Sequence, residues 1–367
     1  MKQDFWTYNK PLSMAGLGGG ATSLSNAGSG PYSGNIALAH NSSPYISVYS
    51  WDSLGFGSKY SNPSSSVAGN GNAVAFSPDG TAIAIAHNTS PYISVYEWTS
   101  SGFGSKYSNP STLPSGSGYS VAFSPDGTAL AVGYNGSSTS DSKINVYPWS
   151  SSGFGSKYSD PSPLPPGYTG YGVEFSPDGT AIAVAHDTSP YITVYEWSSS
   201  GFGSKYSNPS TLPTGVAEGG LAFSPNGAYL AVAHNGSPYI NVYPWSSSGF
   251  GTKYSDPTSL PIFWTYGGCV FSPDGTDLAM AHAFNPSVTT YPWSSSGFGS
   301  KYSNPPDGGN GNSGAVAFSP DGAAIAVGHF SSNYISVYPW DSGYGTKYSD
   351  PSYLPPDGVR GIAFSPA

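Results

Sequence analysis

One short motif recurs along the whole chain and constrains its fold more than any other feature. The string Phe-Ser-Pro-Asp-Gly, or a close variant of it, recurs at spacings of 46 to 52 residues. It begins at Phe76, Phe123, Phe175, Phe223, Phe271, Phe318 and Phe364. A period of this length indicates repeated supersecondary units that stack on one another. The sequence therefore predicts an array of similar units rather than a set of unrelated domains.

A single unit reads as four short strands. Apolar alternation predicts strands at 73–77, 82–87, 92–98 and 103–108, with a Ser-Pro-Asp-Gly turn between the first two. Isoleucines occupy one face of the second strand and alanines the other. Because both faces are apolar, each sheet must be covered on both sides, which radial stacking of the bulky face on the alanine face achieves. We predict an all-β protein, a seven-bladed β-propeller with four-stranded antiparallel blades.

The two ends of the repeat array are complementary. The first unit lacks a clear Phe-Ser-Pro-Asp-Gly strand, whereas the chain ends on that strand and nothing else. We therefore expect the C-terminal strand at 361–365 to complete the blade begun by residues 34–63. This divides the chain into a flexible N-terminal arm, 1–33, and a propeller, 34–367. In an alternative arrangement, residues 20–26 supply the missing strand.

Charge and composition exclude several classes of partner. The net charge is −9 and Arg360 is the only arginine, so the clustered cations that bind nucleic acid are missing. No apolar stretch is long enough for membrane insertion, and the N-terminus lacks the apolar core of a secretion signal. The single cysteine, Cys269, cannot form an internal disulfide, so folding in a reducing cytosol is expected.

No constellation of catalytic or metal-binding residues emerges from the sequence. The six histidines occupy one repeat position on six different units, so they cannot converge on one ion, and core histidines are expected. The repeated aspartates fit turn chemistry. Cys269 takes a core position of a first strand, and Glu174 replaces an alanine beside the axis, where it could line the channel. We predict no cofactor, no metal and no enzymatic activity.

Differences among the repeats concentrate on one face of the predicted propeller, here called the top face. A longer loop spans 135–143, an aromatic connector spans 262–268, and residues 283–291 depart from the repeat. Exposed aromatic side chains on one loop are typical of a contact hot spot. The predicted partner-binding residues are Phe263, Trp264, Tyr266, Phe284, Asn285, Glu218, Asp141 and Lys143, with Phe5, Trp6 and Tyr8 of the arm. Alternatively, these rings pack in a groove or receive the arm.

The repeat resembles two groups of known proteins. The pattern "FSPDG…LAVAH…YISVY" resembles WD-type seven-bladed propellers, although the Trp-Asp and Gly-His pairs of that family are missing. The longer phrase "SPYISVY…GFGSKYSNPSTLPTG…VAFSPDG" is similar to near-identical propeller repeats encoded by tailed bacteriophages and prophages. The second resemblance implies a virion component, often one of the tail.

These observations predict a non-enzymatic structural or adhesion module of a phage virion, such as a tail, fibre or decoration protein. The arm would contact other virion proteins, and the top face would contact a host-surface glycan or protein. The protein would be made in the host cytoplasm and carried in the virion. The alternatives are a cytoplasmic bacterial lectin with glycan pockets at the repeated aromatic residues, or a protein–protein scaffold. A third is a propeller hydrolase that uses the channel.

Overall fold

A computed structural model of the protein describes residues 11–13, 21–23, 31–261, 267–307, 312–331 and 333–367. The strands are β1 (Pro11–Ser13), β2 (Ala21–Ser23), β3 (Gly34–His40), β4 (Ile46–Asp52), β5 (Gly55–Lys59), β6 (Gly71–Phe76), β7 (Ala82–His87), β8 (Ile93–Thr99), β9 (Gly102–Lys106), β10 (Gly118–Phe123), β11 (Ala129–Tyr134), β12 (Ile144–Ser150), β13 (Gly153–Phe154), β14 (Gly170–Phe175), β15 (Ala181–His186), β16 (Ile192–Ser198), β17 (Gly201–Lys205), β18 (Leu221–Phe223), β19 (Tyr229–Ala233), β20 (Ile240–Ser246), β21 (Gly249–Phe250), β22 (Cys269–Phe271), β23 (Asp277–Ala281), β24 (Val288–Ser294), β25 (Gly297–Phe298), β26 (Ser313–Phe318), β27 (Ala324–His329), β28 (Ile335–Pro339) and β29 (Val359–Phe364).

These strands form the predicted seven-bladed β-propeller of antiparallel blades. Blade 1 has the order β29-β3-β4-β5, and blades 2 to 6 follow as β6–β9, β10–β13, β14–β17, β18–β21 and β22–β25. Blade 7 has the order β26-β27-β28, and an isolated bridge between Trp340 and Tyr344 stands in place of its fourth strand. The first strand of each blade is the innermost and borders the central channel.

Ring closure follows the prediction from the chain ends. The C-terminal β29 pairs with β3, with Ile362 opposite Leu38 and Phe364 opposite Ile36. The alternative, in which residues 20–26 supply this strand, is wrong. Tyr32 strengthens the seam, because its hydroxyl donates to the Ser365 carbonyl at 2.8 Å. Since β3 and β29, the first and last strands of the propeller, share one sheet, the two ends of the propeller hold blade 1 together.

Adjacent blades pack as the two-faced pattern predicts. In the core between blades 1 and 2, Ile83, Ile85 and Trp98 of blade 2 meet the Ala37 and Ala39 face of blade 1. The opposite, alanine-rich face of blade 2 receives the bulky side chains of blade 3 in the same way. Apolar burial on both faces of every sheet therefore fixes the blades radially.

The hairpin between the first two strands of a blade forms a compact turn. In blade 2 the Asp79 carboxylate accepts hydrogen bonds from the Ser77 hydroxyl and the Thr81 amide, at 2.6 and 3.1 Å. Gly80 follows with φ of 69°, a conformation that glycine adopts without strain. The repeated aspartates thus serve the turn, as the sequence indicates.

The N-terminal segment contributes a short separate pairing. β1 pairs with β2 in a two-stranded antiparallel sheet. Tyr32, which the predicted boundary assigns to the arm, is buried against the propeller. The division into an arm and a propeller at residue 33 stays a prediction.

Candidate functional site

The histidines are buried structural residues. Each of the six is fully buried, and in blade 2 the His87 Nε2 lies 3.0 Å from the Ser94 hydroxyl on the neighbouring third strand. Burial lowers the pKa of His87 to about 4, so this imidazole is neutral at pH 7. Among the described residues, no three His, Cys, Asp or Glu side chains converge in a way that could hold a metal ion.

The predicted partner-binding residues fall into four groups, one of which is Glu218 at the channel mouth. Phe263, Trp264, Tyr266, Phe5, Trp6 and Tyr8 lie outside the described residues. Phe284 and Asn285 are both exposed, with Phe284 52% accessible.

Asp141 and Lys143 instead organise their own loop. The Asp141 carboxylate accepts hydrogen bonds from the Ser138 amide and the Ser115 hydroxyl. Lys143 is completely buried, and its ammonium donates to the carbonyls of Thr139 and Asp141. Both side chains therefore already have partners within the protein.

The mouth of the channel on the top face carries a set of side chains that the repeat does not dictate. The first strand of five blades has a β-bulge near its start, which leaves one residue outside the regular register. The bulged residues are Asn72, Tyr119, Tyr171, Gly314 and Arg360. A bulge re-aims a side chain, and here it does so at the inner edge of each blade.

In blade 5, Glu218 occupies the position that the bulged residue takes in five other blades. The Ala217 amide donates to the carbonyl of His186 in the preceding blade, as the Ser313 amide does to that of His282 at the start of blade 7. This equivalence puts Glu218 where the other blades have their bulged residue. We call Asn72, Tyr119, Tyr171, Glu218, Gly314 and Arg360 the mouth ring.

Contacts between neighbouring blades connect the polar members of the mouth ring. The Asn72 Nδ2 donates to the Gly118 carbonyl of blade 3 at 2.8 Å. The rings of Tyr119 and Tyr171 meet edge to face with their centroids 5.5 Å apart. Tyr171 in turn lies within electrostatic reach of the Glu218 carboxylate. These side chains therefore form one continuous arc across blades 2 to 5.

Arg360 stands beside this arc in a fixed orientation. Its Nε donates to the Asn41 Oδ1 at 2.5 Å, and its guanidinium lies 5.1 Å from the centroid of the Phe330 ring. Tyr119 is its electrostatic neighbour across the ring. Within the part of the chain that the structure describes, no hydrogen-bond acceptor meets the terminal Nη atoms. The guanidinium, which stays charged at neutral pH, thus presents an unpaired edge.

Burial raises the pKa of two other members of the mouth ring, Glu218 and Tyr171. It raises the pKa of the Glu218 carboxyl above its ordinary value. Burial, assisted by the charge on Glu218, also raises the pKa of Tyr171 to about 12, so this phenol stays protonated. No hydrogen-bond donor reaches the Glu218 carboxyl from the described residues. Among the described residues, the mouth ring therefore combines a guanidinium edge and a carboxyl that have no hydrogen-bond partner with the phenol rings of Tyr119 and Tyr171.

Glu174 and Cys269 lie deeper, near the axis. The Glu174 Oε2 accepts a hydrogen bond from the Phe223 amide at 3.0 Å. The Phe223 amide points away from β19, toward the inner edge of blade 5. The amides of its neighbours Ala222 and Ser224 face β19 instead. Burial raises the pKa of both Glu174 and Cys269, so the thiol is unreactive at neutral pH. Both side chains are buried, so neither faces an open channel.

The sequence points to Glu218 and to Arg360, its one arginine, but does not place them together. The signal was present in the repeat itself. At the second position of the first strand the chain carries Asn, Tyr, Tyr, Gly and Arg, while the following positions are nearly constant. Bulges cannot be read from alternation, so the direction of these side chains emerges only from the structure.

The described residues include no helix that is long and apolar enough to span a membrane.

Comparisons with known proteins identify the fold. The sequence matches no family model, and no curated protein is similar to it in sequence. Among solved structures, the periplasmic gluconolactonase of Pseudomonas aeruginosa superposes with a TM-score of 0.67 at 19% identity, over 91% of this chain and 99% of that one. A candidate 6-phosphogluconolactonase of Bacteroides uniformis gives 0.65 at 15%, over 90% and 99%. A protein of Desulfotomaculum acetoxidans described as functionally unknown gives 0.66 at 15%, with the same coverage.

These likenesses correct the functional predictions made from the sequence. Two of these three solved propellers carry the names of lactonases, and none of the three is named as a phage protein. The prediction of a non-enzymatic virion module, with the lectin and scaffold alternatives, is therefore wrong. Its weakness lay in treating a likeness of repeats as a likeness of role, although one fold hosts many functions. At these identities the comparisons establish one thing about this chain, which is that it is a seven-bladed β-propeller.

Proposed function

We propose that the protein is a hydrolase that opens lactones, the cyclic esters of hydroxy acids, with the mouth ring as its active site. One observation carries the proposal. The guanidinium edge of Arg360 and the carboxyl of Glu218 belong to the same ring, and the described residues offer a hydrogen-bond partner to neither. Half-buried polar groups without partners are available to a substrate.

The two groups suit the two demands of ester hydrolysis. Glu218 accepts a proton from a water molecule as that water attacks the lactone carbonyl, and its raised pKa makes it a stronger base than an ordinary glutamate. The Arg360 Nη groups donate to the carbonyl oxygen as it acquires negative charge. When the ring C–O bond breaks, Glu218 returns the proton to the departing oxygen. The product is an open hydroxy acid, and no other reactant is consumed.

The tyrosines supply a surface for the body of the substrate. The faces and hydroxyls of Tyr119 and Tyr171 are both at the mouth, and their edge-to-face contact fixes them relative to each other. Aromatic rings with polar tips bind ligands that are apolar on one side and hydroxylated on the other. A hydroxylated lactone has this character, and the names of the similarly folded P. aeruginosa and B. uniformis proteins agree with it.

Lactone hydrolysis by the purified protein tests the proposal. Acid release from D-glucono-δ-lactone is followed with a pH indicator, and the spontaneous rate is subtracted. The wild type is expected to exceed the spontaneous rate, and Glu218→Gln and Arg360→Gln each to lose about 100-fold or more in kcat/KM.

Glu196→Gln is the matched control. It makes the same chemical change on β16, where the Glu196 Oε2 accepts from the Ser204 amide. The control should keep the wild-type rate. A wild-type rate equal to the spontaneous one, or full activity in Glu218→Gln, would contradict the proposal.

A further inference from the structure

We infer that the free edge of Arg360 is a carboxylate-binding site and that the mouth ring binds the sugar acid released by hydrolysis more tightly than the neutral lactone. The inference rests on the proposed function for the origin of the ligand. It adds a regulatory property, because a site with this preference is inhibited by its own product.

The neighbours of Arg360 hold its guanidinium in an orientation that suits a bidentate hydrogen bond. Asn41 accepts from the Nε, and the Phe330 ring lies beneath the guanidinium plane at 5.1 Å. Both contacts leave the edge formed by the two Nη groups open, and together they hold the plane in one orientation. A carboxylate matches such an edge with two parallel hydrogen bonds, a geometry that a neutral carbonyl cannot reproduce.

The nearest charges do not already neutralise this edge. Asp357 is an electrostatic neighbour of Arg360, but its carboxylate accepts from the Ser42 hydroxyl and the Gly358 amide. It forms no ion pair with the guanidinium within 4.0 Å. Glu218 lies on blade 5 and Arg360 on blade 1, so the two stand at opposite sides of the ring of seven blades. Among the described residues, no carboxylate therefore occupies the guanidinium edge that the ligand would contact.

Hydrolysis changes the ligand in the direction that this site favours. The lactone offers one neutral carbonyl oxygen, whereas the hydroxy acid offers two oxygens that share a negative charge. Charge-assisted bidentate pairs are the strongest hydrogen bonds in proteins. The remainder of the molecule, a polyhydroxylated chain, is common to both forms and contacts the same tyrosines.

Equilibrium calorimetry tests the inference without any turnover. The two ligands are D-gluconate and D-glucitol, which differ in that a carboxylate replaces a CH2OH group. Gluconate is expected to bind at least about tenfold more tightly than glucitol, and Arg360→Gln to weaken gluconate binding by about 10- to 100-fold. Asn41→Ala, which frees the guanidinium to rotate, should weaken it by a smaller factor.

Two controls make the result specific. Lys106→Gln removes a positive charge from the outer strand β9 and should leave the affinity for gluconate unchanged. Inorganic phosphate should bind more weakly than gluconate. Equal affinities for gluconate and glucitol, tighter binding of phosphate, or unchanged gluconate binding in Arg360→Gln would overturn the inference. Because no lactone is present, a failure here is distinct from a failure of the hydrolysis assay.

Discussion

Glu174 differs from its counterparts at a single point of the repeat. The equivalent positions in the other blades carry Ala75, Ala122, Ala222, Val270, Ala317 and Ala363. The Glu174 carboxyl is fully buried, and its Oε1 has no hydrogen-bond partner among the described residues. A buried polar atom without a partner costs free energy. Glu174 therefore lowers the stability of the fold, and the other blades indicate that alanine is the better residue at this position.

Replacing Glu174 with alanine should stabilise the protein increasingly as the pH rises. Burial raises the pKa of this carboxyl in the folded state, so its contribution to the free energy of unfolding is greatest below the unfolded value near 4.5 and declines above it. The expected result is a difference in Tm between Glu174→Ala and the wild type that grows from pH 5 to pH 8. Glu196→Ala, at an exposed site, is the control. A constant or reversed difference would contradict the argument.

The pH dependence of lactone hydrolysis should report on Glu218. The carboxylate is the active form of a general base, so activity rises as pH increases through its pKa. Because burial raises that pKa, the acidic limb of kcat/KM should lie above the ordinary glutamate value near 4.5. In Glu218→Asp the shorter side chain is more solvated, so the limb should move to lower pH. An identical limb in both proteins would assign it to another group.

At the scale of elements, the first hairpin of each blade depends on its aspartate. In blade 3 the Asp126 carboxylate accepts from the Ser124 hydroxyl at 2.6 Å and from the Thr128 amide at 3.1 Å. Burial opposes ionisation of this carboxyl, but these hydrogen bonds outweigh it and lower the pKa. Blade 5 keeps the same geometry with a neutral residue, since the Asn226 Oδ1 accepts from the Ser224 hydroxyl at 2.7 Å.

The blade 5 turn predicts which substitutions blade 3 tolerates. Asp126→Asn keeps the acceptor and should cost less than about 1 kcal/mol, whereas Asp126→Ala leaves the Ser124 and Thr128 donors without it and should cost about 1–3 kcal/mol. Urea denaturation at pH 7 measures both free energies of unfolding. Because the folded pKa is lowered, the gap between wild type and Asp126→Asn should close as pH falls below 4. Equal costs for both variants would show that the turn needs no acceptor.

The elements also show how far the sequence alone could lead. The second strand was predicted at 82–87 and is observed there, because apolar alternation and a Gly-containing turn both define it. The inner strand was predicted at 73–77 but begins at Gly71. The missing residues include Asn72, which sits in the bulge. Alternation cannot register a bulge, and five of the six residues of the mouth ring are bulged, so the sequence pointed to Glu218 but not to the other members of the ring.

For the molecule as a whole, the propeller is a closed ring of interfaces of one kind. Each blade contributes a bulky face and an alanine face, and the pairing of β29 with β3 completes the ring. Six blades also place a histidine at the same buried point. In blade 3, Tyr134 takes that place, and its hydroxyl lies 3.0 Å from the Ser142 hydroxyl. Any effect of protonating one histidine is therefore repeated around the ring.

This repetition should make the protein unfold cooperatively in mild acid. Burial lowers the pKa of His40, His87, His234, His282 and His329 to about 4, and that of His186 to about 3. A lowered folded pKa gives stability that is fully present above the unfolded value of 6.5 and is lost as pH falls toward 4. Each histidine contributes on the order of 3 kcal/mol over that interval, so six of them exceed the stability of a typical domain.

The steepness of the transition is the measurable quantity. The free energy of unfolding, from urea denaturation monitored by circular dichroism at pH 7.5 to 5, should fall with a slope that corresponds to several protons. His87→Gln replaces one titrating ring by an amide that can still meet the Ser94 hydroxyl, and should reduce the slope by about one proton, roughly 1.4 kcal/mol per pH unit. Lys157→Gln, which removes a charge from blade 3, the blade in which Tyr134 replaces the histidine, should leave the slope unchanged. A flat profile down to pH 5 would show that the buried histidines accept protons without opening the ring.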